Sequence, residues 1–150
     1  MPLIDCDRSH TEPIRAILND AIAHTTALWD EQPRSAAAMD AWFNAKDVGD
    51  YPVIGVTDEA DTLLGFATYG PFRPWSAYRH TVEHTLYVAP GHQRRGLGRA
   101  LLTELIARAR QQHYHAMIAG IDATNHPSTA LHRALGFTHT GTLPEVGYKF

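Results

Sequence analysis

The 150 residues, 44% of them apolar, are enough to bury one sizeable core, and the length gives no reason to expect more than one domain over 1–150. Thirteen basic against sixteen acidic side chains leave a formal charge of -3, which argues against sequence-independent attraction to nucleic acid or anionic lipid and favours a small-molecule partner. The single cysteine, Cys6, excludes an internal disulfide and a cysteine-based zinc cage, and there is neither a secretion-signal pattern at Met1 to Asp5 nor an apolar run of the roughly 20 residues a membrane span needs, so a cytoplasmic protein is expected.

Leu3 to Cys6 reads as a short strand. Ile14, Ile17, Leu18, Ala21 and Ile22 follow the i, i+3, i+4, i+7, i+8 pattern of one helix face, opened by capping residues between Ser9 and Pro13. A second helix carries Met39, Trp42, Phe43 and Lys46, after Pro33 and before the turn residues Gly49 and Asp50. Strands Val53 to Thr57 and Leu63 to Tyr69 flank a hairpin turn at Asp58 to Asp61, and Gly70 to Tyr78, with two prolines and an aromatic cluster, reads as a structured loop. Val82 to Val88 has strand composition. Its alternation puts Val82, His84, Leu86 and Val88 on one face and Glu83, Thr85 and Tyr87 on the other. Gly98, Leu101, Leu102, Leu105, Ile106 and Ala109 form an apolar helical stripe after the turn at Pro90-Gly91. Ala116 to Ile121 reads as a buried strand, Pro127 to Gly136 as a helix with its start and stop residues, and Phe137 to Thr142 as a last strand. The order β-α-α-β-β-β-α-β-α-β predicts a mixed α/β sheet flanked by helices.

Between the strand ending at Val88 and the striped helix lies Gln93-Arg94-Arg95-Gly96-Leu97-Gly98, followed by Arg99. A glycine- and arginine-rich loop at a helix N-terminus offers unpaired N–H groups and the positive dipole end to an anion, phosphate above all. No Gly-Lys-Ser/Thr follows, which excludes a Walker A loop, and Ala100-Leu101 stand where a dinucleotide fingerprint needs its third glycine. Ten histidines include His80, His84, His113 and His115 as conceivable metal ligands, but no His-Glu-x-x-His or cysteine pair accompanies them, and no metal is expected.

Gln-x-x-Gly-x-Gly in this strand-loop-helix setting resembles the acetyl-CoA loop of the GNAT superfamily of N-acetyltransferases. The segments Thr81 to Val88, Ala119 to Asn125, Leu131-His132, Leu135 to Phe137 and Val146 to Phe150 resemble the phosphinothricin and methionine sulfoximine acetyltransferase branch. His24 to Trp29 and Tyr69 to Trp75 are most similar to its methionine sulfoximine and sulfone enzymes. The resemblance covers nearly the whole chain. It implies the GNAT fold, a mostly antiparallel sheet splayed at the cofactor strand, and a homodimer. Relatives continue past Lys149-Phe150 with Gly-Arg-Trp and a further strand, which the sheet of residues 1–150 is expected to lack.

By the same resemblance, the backbone of Leu86, Tyr87 and Val88 pairs with the pantetheine arm, Arg94, Arg95, Gly96, Leu97, Gly98 and Arg99 hold the pyrophosphate, and Asn125 contacts the cofactor from the next strand. Glu83 is the implied general base; without the resemblance it reads as a solvated edge residue. His84, on the opposite strand face, is the weaker candidate unless a bulge intervenes. His132 stands where many superfamily members carry a thiolate-protonating tyrosine. Its imidazole could supply that proton, or orient the cofactor, or cap a helix. Arg73 and Arg79 flank the aromatic loop, and an arginine fork suits a substrate α-carboxylate. Trp29, Phe72, Trp75 and Tyr78 could wall a side-chain pocket, and Ser76, Ala77, Tyr78 and Glu83 match positions that line the amino-acid site in relatives. The implied reaction is acetyl transfer to the amine of an L-amino acid analogue such as methionine sulfoximine, methionine sulfone or phosphinothricin. The alternatives are a polyamine, aminoglycoside or protein N-terminus as acceptor, and a noncatalytic acyl-CoA sensor.

Overall fold

A computed structural model describes residues 1–150. Strands β1 (Leu3–Asp5), β2 (Val53–Thr57), β3 (Leu63–Pro71), β4 (Thr81–Val88) and β5 (Ala116–Ile118) form one sheet in sequence order. Every neighbouring pair is antiparallel except β4–β5, which is parallel and needs the crossover through helix α3 (Leu97–Gln111). Helices α1 (Thr11–His24) and α2 (Ala36–Gly49) cover one face, and α3 with α4 (His126–Ala134) covers the other.

Local chemistry explains the boundaries. Asp7 accepts from the Ser9 N–H and forms a capping box with His10 ahead of α1, and the Ser35 hydroxyl caps α2 through the Ala38 N–H. Asp50 ends α2 in the left-handed region at φ 53°. Asp58 holds the β2–β3 hairpin by accepting from the N–H groups of Ala60 and Thr62.

The apolar stripes read from the sequence pack as two cores, one on each side of the sheet. Ile14, Ile17 and Leu18 of α1 meet Met39, Phe43 and Phe66; Leu97, Leu101, Leu105 and Ala109 of α3 meet Ile54, Val56, Tyr69 and Val82. β2 is buried at all five positions, as expected of an inner strand covered on both faces.

Three expected boundaries differ. β1 ends at Asp5 and β5 at Ile118, each shorter than its apolar run. The strand expected over Phe137 to Thr142 does not form. Its first residue is used otherwise: the Phe137 N–H donates to the His132 carbonyl at 3.0 Å, closing α4 beyond Gly136 at φ 98°, and its ring lies edge-on to His84 and His132.

Candidate active site

β3 pairs with β4 along Val82 to Val88, whereas β5 pairs with it only at Thr81, Val82 and Glu83. From His84 onward β4 therefore has no strand on its second side. The Ala89 N–H donates to the Leu64 carbonyl at 2.7 Å, which fixes the phase of the ladder. Antiparallel alternation then turns the backbone groups of Leu86 and Val88 to the open side and those of Tyr87 toward β3. The Val88 carbonyl meets only the Gln93 side-chain amide, at 3.4 Å. Unpaired strand groups of this kind can receive an amide-bearing ligand as if it were a further strand.

A cavity of about 400 Å³ opens along this splay. Glu83, Thr85 and Tyr87 line it from β4's helix α1 and α2 side, His84 and Leu86 from the α3 and α4 side, Gly120, Asp122 and Asn125 from the segment leading into α4, and Ser128 and His132 from α4 itself. Both strand faces reach one space because β5 stops short. Asn125 acts here as the N-cap of α4, accepting from the Ser128 N–H at 3.3 Å, so it enters from a helix start, not from a strand. Thr26 donates its hydroxyl to Asp122, tying the α1–α2 loop to the β5–α4 loop, and this bond holds the Asp122 carboxyl below its usual range.

His84 and His132 are both buried and face each other, Nε2 to Nε2, at 2.8 Å. Hydrogen-bond logic assigns their protons. A backbone carbonyl only accepts, so His132 Nδ1 carries the proton given to the Ser128 carbonyl at 2.7 Å, and its Nε2 is an acceptor. His84 Nε2–H is then the donor, and its buried Nδ1 has no partner. Burial and the neighbouring imidazole lower the His84 pKa to about 4, and burial lowers that of His132. Both rings are therefore neutral at pH 7. An unfolded histidine titrates near 6.5, so between that pH and about 4 the unfolded chain binds the extra proton and stability falls with acidification. About 2 kcal/mol of the stability present at pH 7 is expected to be gone by pH 5 on account of His84 alone. Chemical denaturation at the two pH values checks this, and His84→Gln, which retains a donor toward His132, should flatten the difference.

The glycine loop delivers the helix start expected of it. Gly96 is the N-cap of α3 at φ 76°, with open space where a Cβ would stand. The first intrahelical bond is that of the Ala100 N–H to the Gly96 carbonyl, which leaves the N–H groups of Leu97, Gly98 and Arg99 ahead of it. Arg94 and Arg99 are exposed, and neither forms an ion pair; Arg95 is turned to His92 Nδ1 at 2.8 Å. Gly98 sits differently: a Cβ there would be in ordinary contact with Leu131 at 3.4 Å and Leu86 at 3.6 Å, so α3 meets α4 and β4 at this position.

The predicted acceptor residues do not converge. Glu83 lines the cavity, but Arg73, Ser76, Ala77 and Tyr78 lie on an exposed stretch outside it, with Ser76–Tyr78 forming a 3-10 turn. Arg73 lays its guanidinium over the Phe72 ring at 4.1 Å and donates to the Phe72 carbonyl. Trp29 packs against Gly147 of the C-terminal segment, whose Lys149 ammonium is held by the Thr25 and Leu28 carbonyls at 2.7 and 2.8 Å. Of the cavity residues outside the predicted site, which include Thr85, Asp122 and Ser128, the one with a charge of the opposite sign to Glu83 is Lys46, which lines the space near Gly70 and Glu83. The signal was present, since a lysine at the i+7 position of an otherwise apolar stripe is a buried cation that needs a reason.

A sheet splayed beside a helix N-terminus, with the unpaired Arg94 and Arg99 at its mouth, has the donors and the charge that suit a ligand carrying amides and a phosphate. Residues 14–137 match the acetyltransferase (GNAT) family, and the chain belongs to it as an acetyl-CoA-dependent acetyltransferase. The chain is 47% identical over 137 residues to the L-methionine sulfoximine/L-methionine sulfone acetyltransferase of Pseudomonas paraeruginosa, covering 91% of this chain and 80% of that protein. It is 36% identical over 141 residues to the phosphinothricin N-acetyltransferase of Streptomyces coelicolor, covering 93% and 82%. Among solved structures, a phosphinothricin acetyltransferase from Sinorhizobium meliloti in complex with acetyl-CoA superposes with a TM-score of 0.96 at 34% identity, over 99% of this chain and 80% of that one. No helix is long and apolar enough to cross a membrane.

Proposed function

We propose that the protein transfers the acetyl group of acetyl-CoA to the α-amino group of an L-amino acid analogue such as methionine sulfoximine, methionine sulfone or phosphinothricin. The observation that carries this reading is the position of the Glu83 side chain in the same cavity as the open edge of β4. Bound acetyl-CoA supplies an activated acetyl thioester. The protein's part is to seat it and to prepare the amine. Leu86 and Val88 offer backbone groups to the pantetheine amides, with the Tyr87 segment between them. Leu97, Gly98 and Arg99 offer N–H groups to the pyrophosphate beside Gly96, with Arg94, Arg95 and Arg99 adding charge. Asn125 borders the cofactor's path from the start of α4.

Glu83 accepts the amine's proton, directly or through water, which frees the nitrogen lone pair for attack. For His132 the geometry supports an orienting role: its Nδ1–H is committed to the Ser128 carbonyl, its Nε2 to His84, and burial disfavours the histidinium that would protonate a thiolate. Trp29, Arg73, Ser76, Ala77 and Tyr78 belong to the same reading as an acceptor wall. They would border bound substrate only if the aromatic stretch folds over the cavity or a partner copy completes it. A cytoplasmic homodimer is part of this proposal, and it would cover Trp75 and Tyr78, now 65% and 43% exposed; sedimentation velocity reads its mass.

The test is a panel of methionine sulfoximine, methionine sulfone and phosphinothricin beside polyamines and an aminoglycoside, scored by thiol release from acetyl-CoA. Preference for the amino acids is expected. Release with the polycations alone would replace the acceptor class, and binding of acetyl-CoA with no release for any amine would mark a sensor.

A further inference from the structure

Lys46 is a cation held without a counter-ion. It reaches from α2 to the end of β3, where its ammonium donates to the Tyr69 carbonyl at 3.0 Å and lies 5.2 and 5.7 Å from the Trp42 and Tyr51 ring centres. An ammonium has three N–H donors, and the carbonyl uses one. No carboxylate lies within ion-pair distance of it. A second hollow on its other side, between β1 and α2, holds the Asp5–Arg108 and Arg8–Asp47 ion pairs, whose charges are already matched.

Strand register places this cation relative to Glu83. Gly70 on β3 is directly opposite Glu83 on β4, and residues so paired project to the same face with Cβ atoms about 5 Å apart. Gly70 has no side chain, and the Lys46 Nζ lies 3.6 Å from where its Cβ would be. The ammonium thus occupies the place beside Glu83 that a side chain on β3 would fill. On the far side, a Cβ at Gly120 would lie 3.5 Å from Glu83 Oε2. Glu83 is therefore flanked by two glycines, one of them covered by a cation, and all of these residues line one cavity.

A negative and a positive group side by side on a cavity wall are the complement of a zwitterion. We propose that Lys46 is the carboxylate-reading residue of the acceptor site: it pairs with the α-carboxylate of an amino acid whose α-amino group is presented to Glu83. This rests on the reading of Glu83 as the residue facing the acceptor amine, and it identifies what that acceptor must carry, a free carboxylate on the carbon bearing the amine. The same cation repels the second charge of a polyamine. Burial lowers the Lys46 pKa to about 8, which leaves it mainly protonated at pH 7 and its donors poorly solvated.

The experiment compares methionine sulfone with its carboxamide, which keeps the amine and side chain but removes the anion, by thiol release from the full chain. The native protein should prefer the acid. Lys46→Met, which keeps the stem between Trp42 and Tyr51, should lower kcat/KM for the acid at least about tenfold, through KM, and leave the amide unchanged. Lys46→Arg should keep the acid preference. A structural role alone would lower both substrates together and overturn the proposal. Native protein that treats acid and amide alike would overturn it too, whether or not the methionine variant folds. Should the native protein acetylate neither, the acceptor reading itself falls and takes this inference with it, a pattern distinct from activity that is indifferent to residue 46.

Discussion

Replacing Glu83 by Gln is expected to lower turnover about 10²- to 10⁴-fold while the dissociation constant of acetyl-CoA changes little, the usual reach of general acid-base catalysis. The substitution keeps the size of the side chain and removes only its capacity to hold a proton. Glu83 forms no ion pair with a neighbouring side chain, and its backbone pairs with both β3 and β5, so the strand should be undisturbed. Steady-state thiol release gives kcat, and equilibrium titration gives the cofactor's dissociation constant. Unchanged turnover would remove Glu83 from the chemistry. A parallel loss of cofactor affinity would mean that the residue shapes the cavity and not the reaction.

Gly96→Val should weaken acetyl-CoA binding on the order of 10²-fold with a much smaller effect on the turnover of saturated enzyme. Two physical terms combine. At φ 76° a β-branched residue is strained by roughly 1–2 kcal/mol, and escaping that strain reorients the first N–H groups of α3. Any loss of a hydrogen bond to a charged phosphate costs about 1.5–3 kcal/mol more. Gly96→Asn is the internal control, because Asn tolerates the left-handed region and should lose less than Val. Gly98→Ala should separate from both in thermal stability, which is expected to hold or rise, because inside α3 its Cβ would only make ordinary contact with Leu131 and Leu86. Equal cofactor affinity in Gly96→Val and the native protein would place the pyrophosphate elsewhere.

Much of the architecture could be read from local pattern. The α3 stripe, the Asp58 hairpin and the alternation along β4 depend on neighbours within a turn or a strand, and all appear where the residues predicted them, whereas the cap ahead of α1 falls at Asp7, just before the expected Ser9 to Pro13. The expected strand at Phe137 failed for a reason of longer range: the residue's N–H and ring were claimed by the end of α4 and by the His84–His132 pair. Composition alone could not weigh that competition. For the site, the alternation sent Glu83 and His84 to opposite faces, which made His84 the weaker candidate unless a bulge brought it round. Both line the cavity, because β5 ends at Ile118 and the open edge joins the two faces.

What the residues determined by themselves was therefore everything set by spacing: the helix faces, the glycine start of α3, and the side of the strand on which each β4 side chain stands. Tertiary structure alone decided which distant groups meet. His84 and His132 are 48 positions apart, and Lys46 reaches Glu83's side only through the β3–β4 register and the empty space above Gly70. The reason is that periodicity encodes direction relative to the local backbone, whereas the partner found in that direction depends on how far each strand runs and where its neighbour stops.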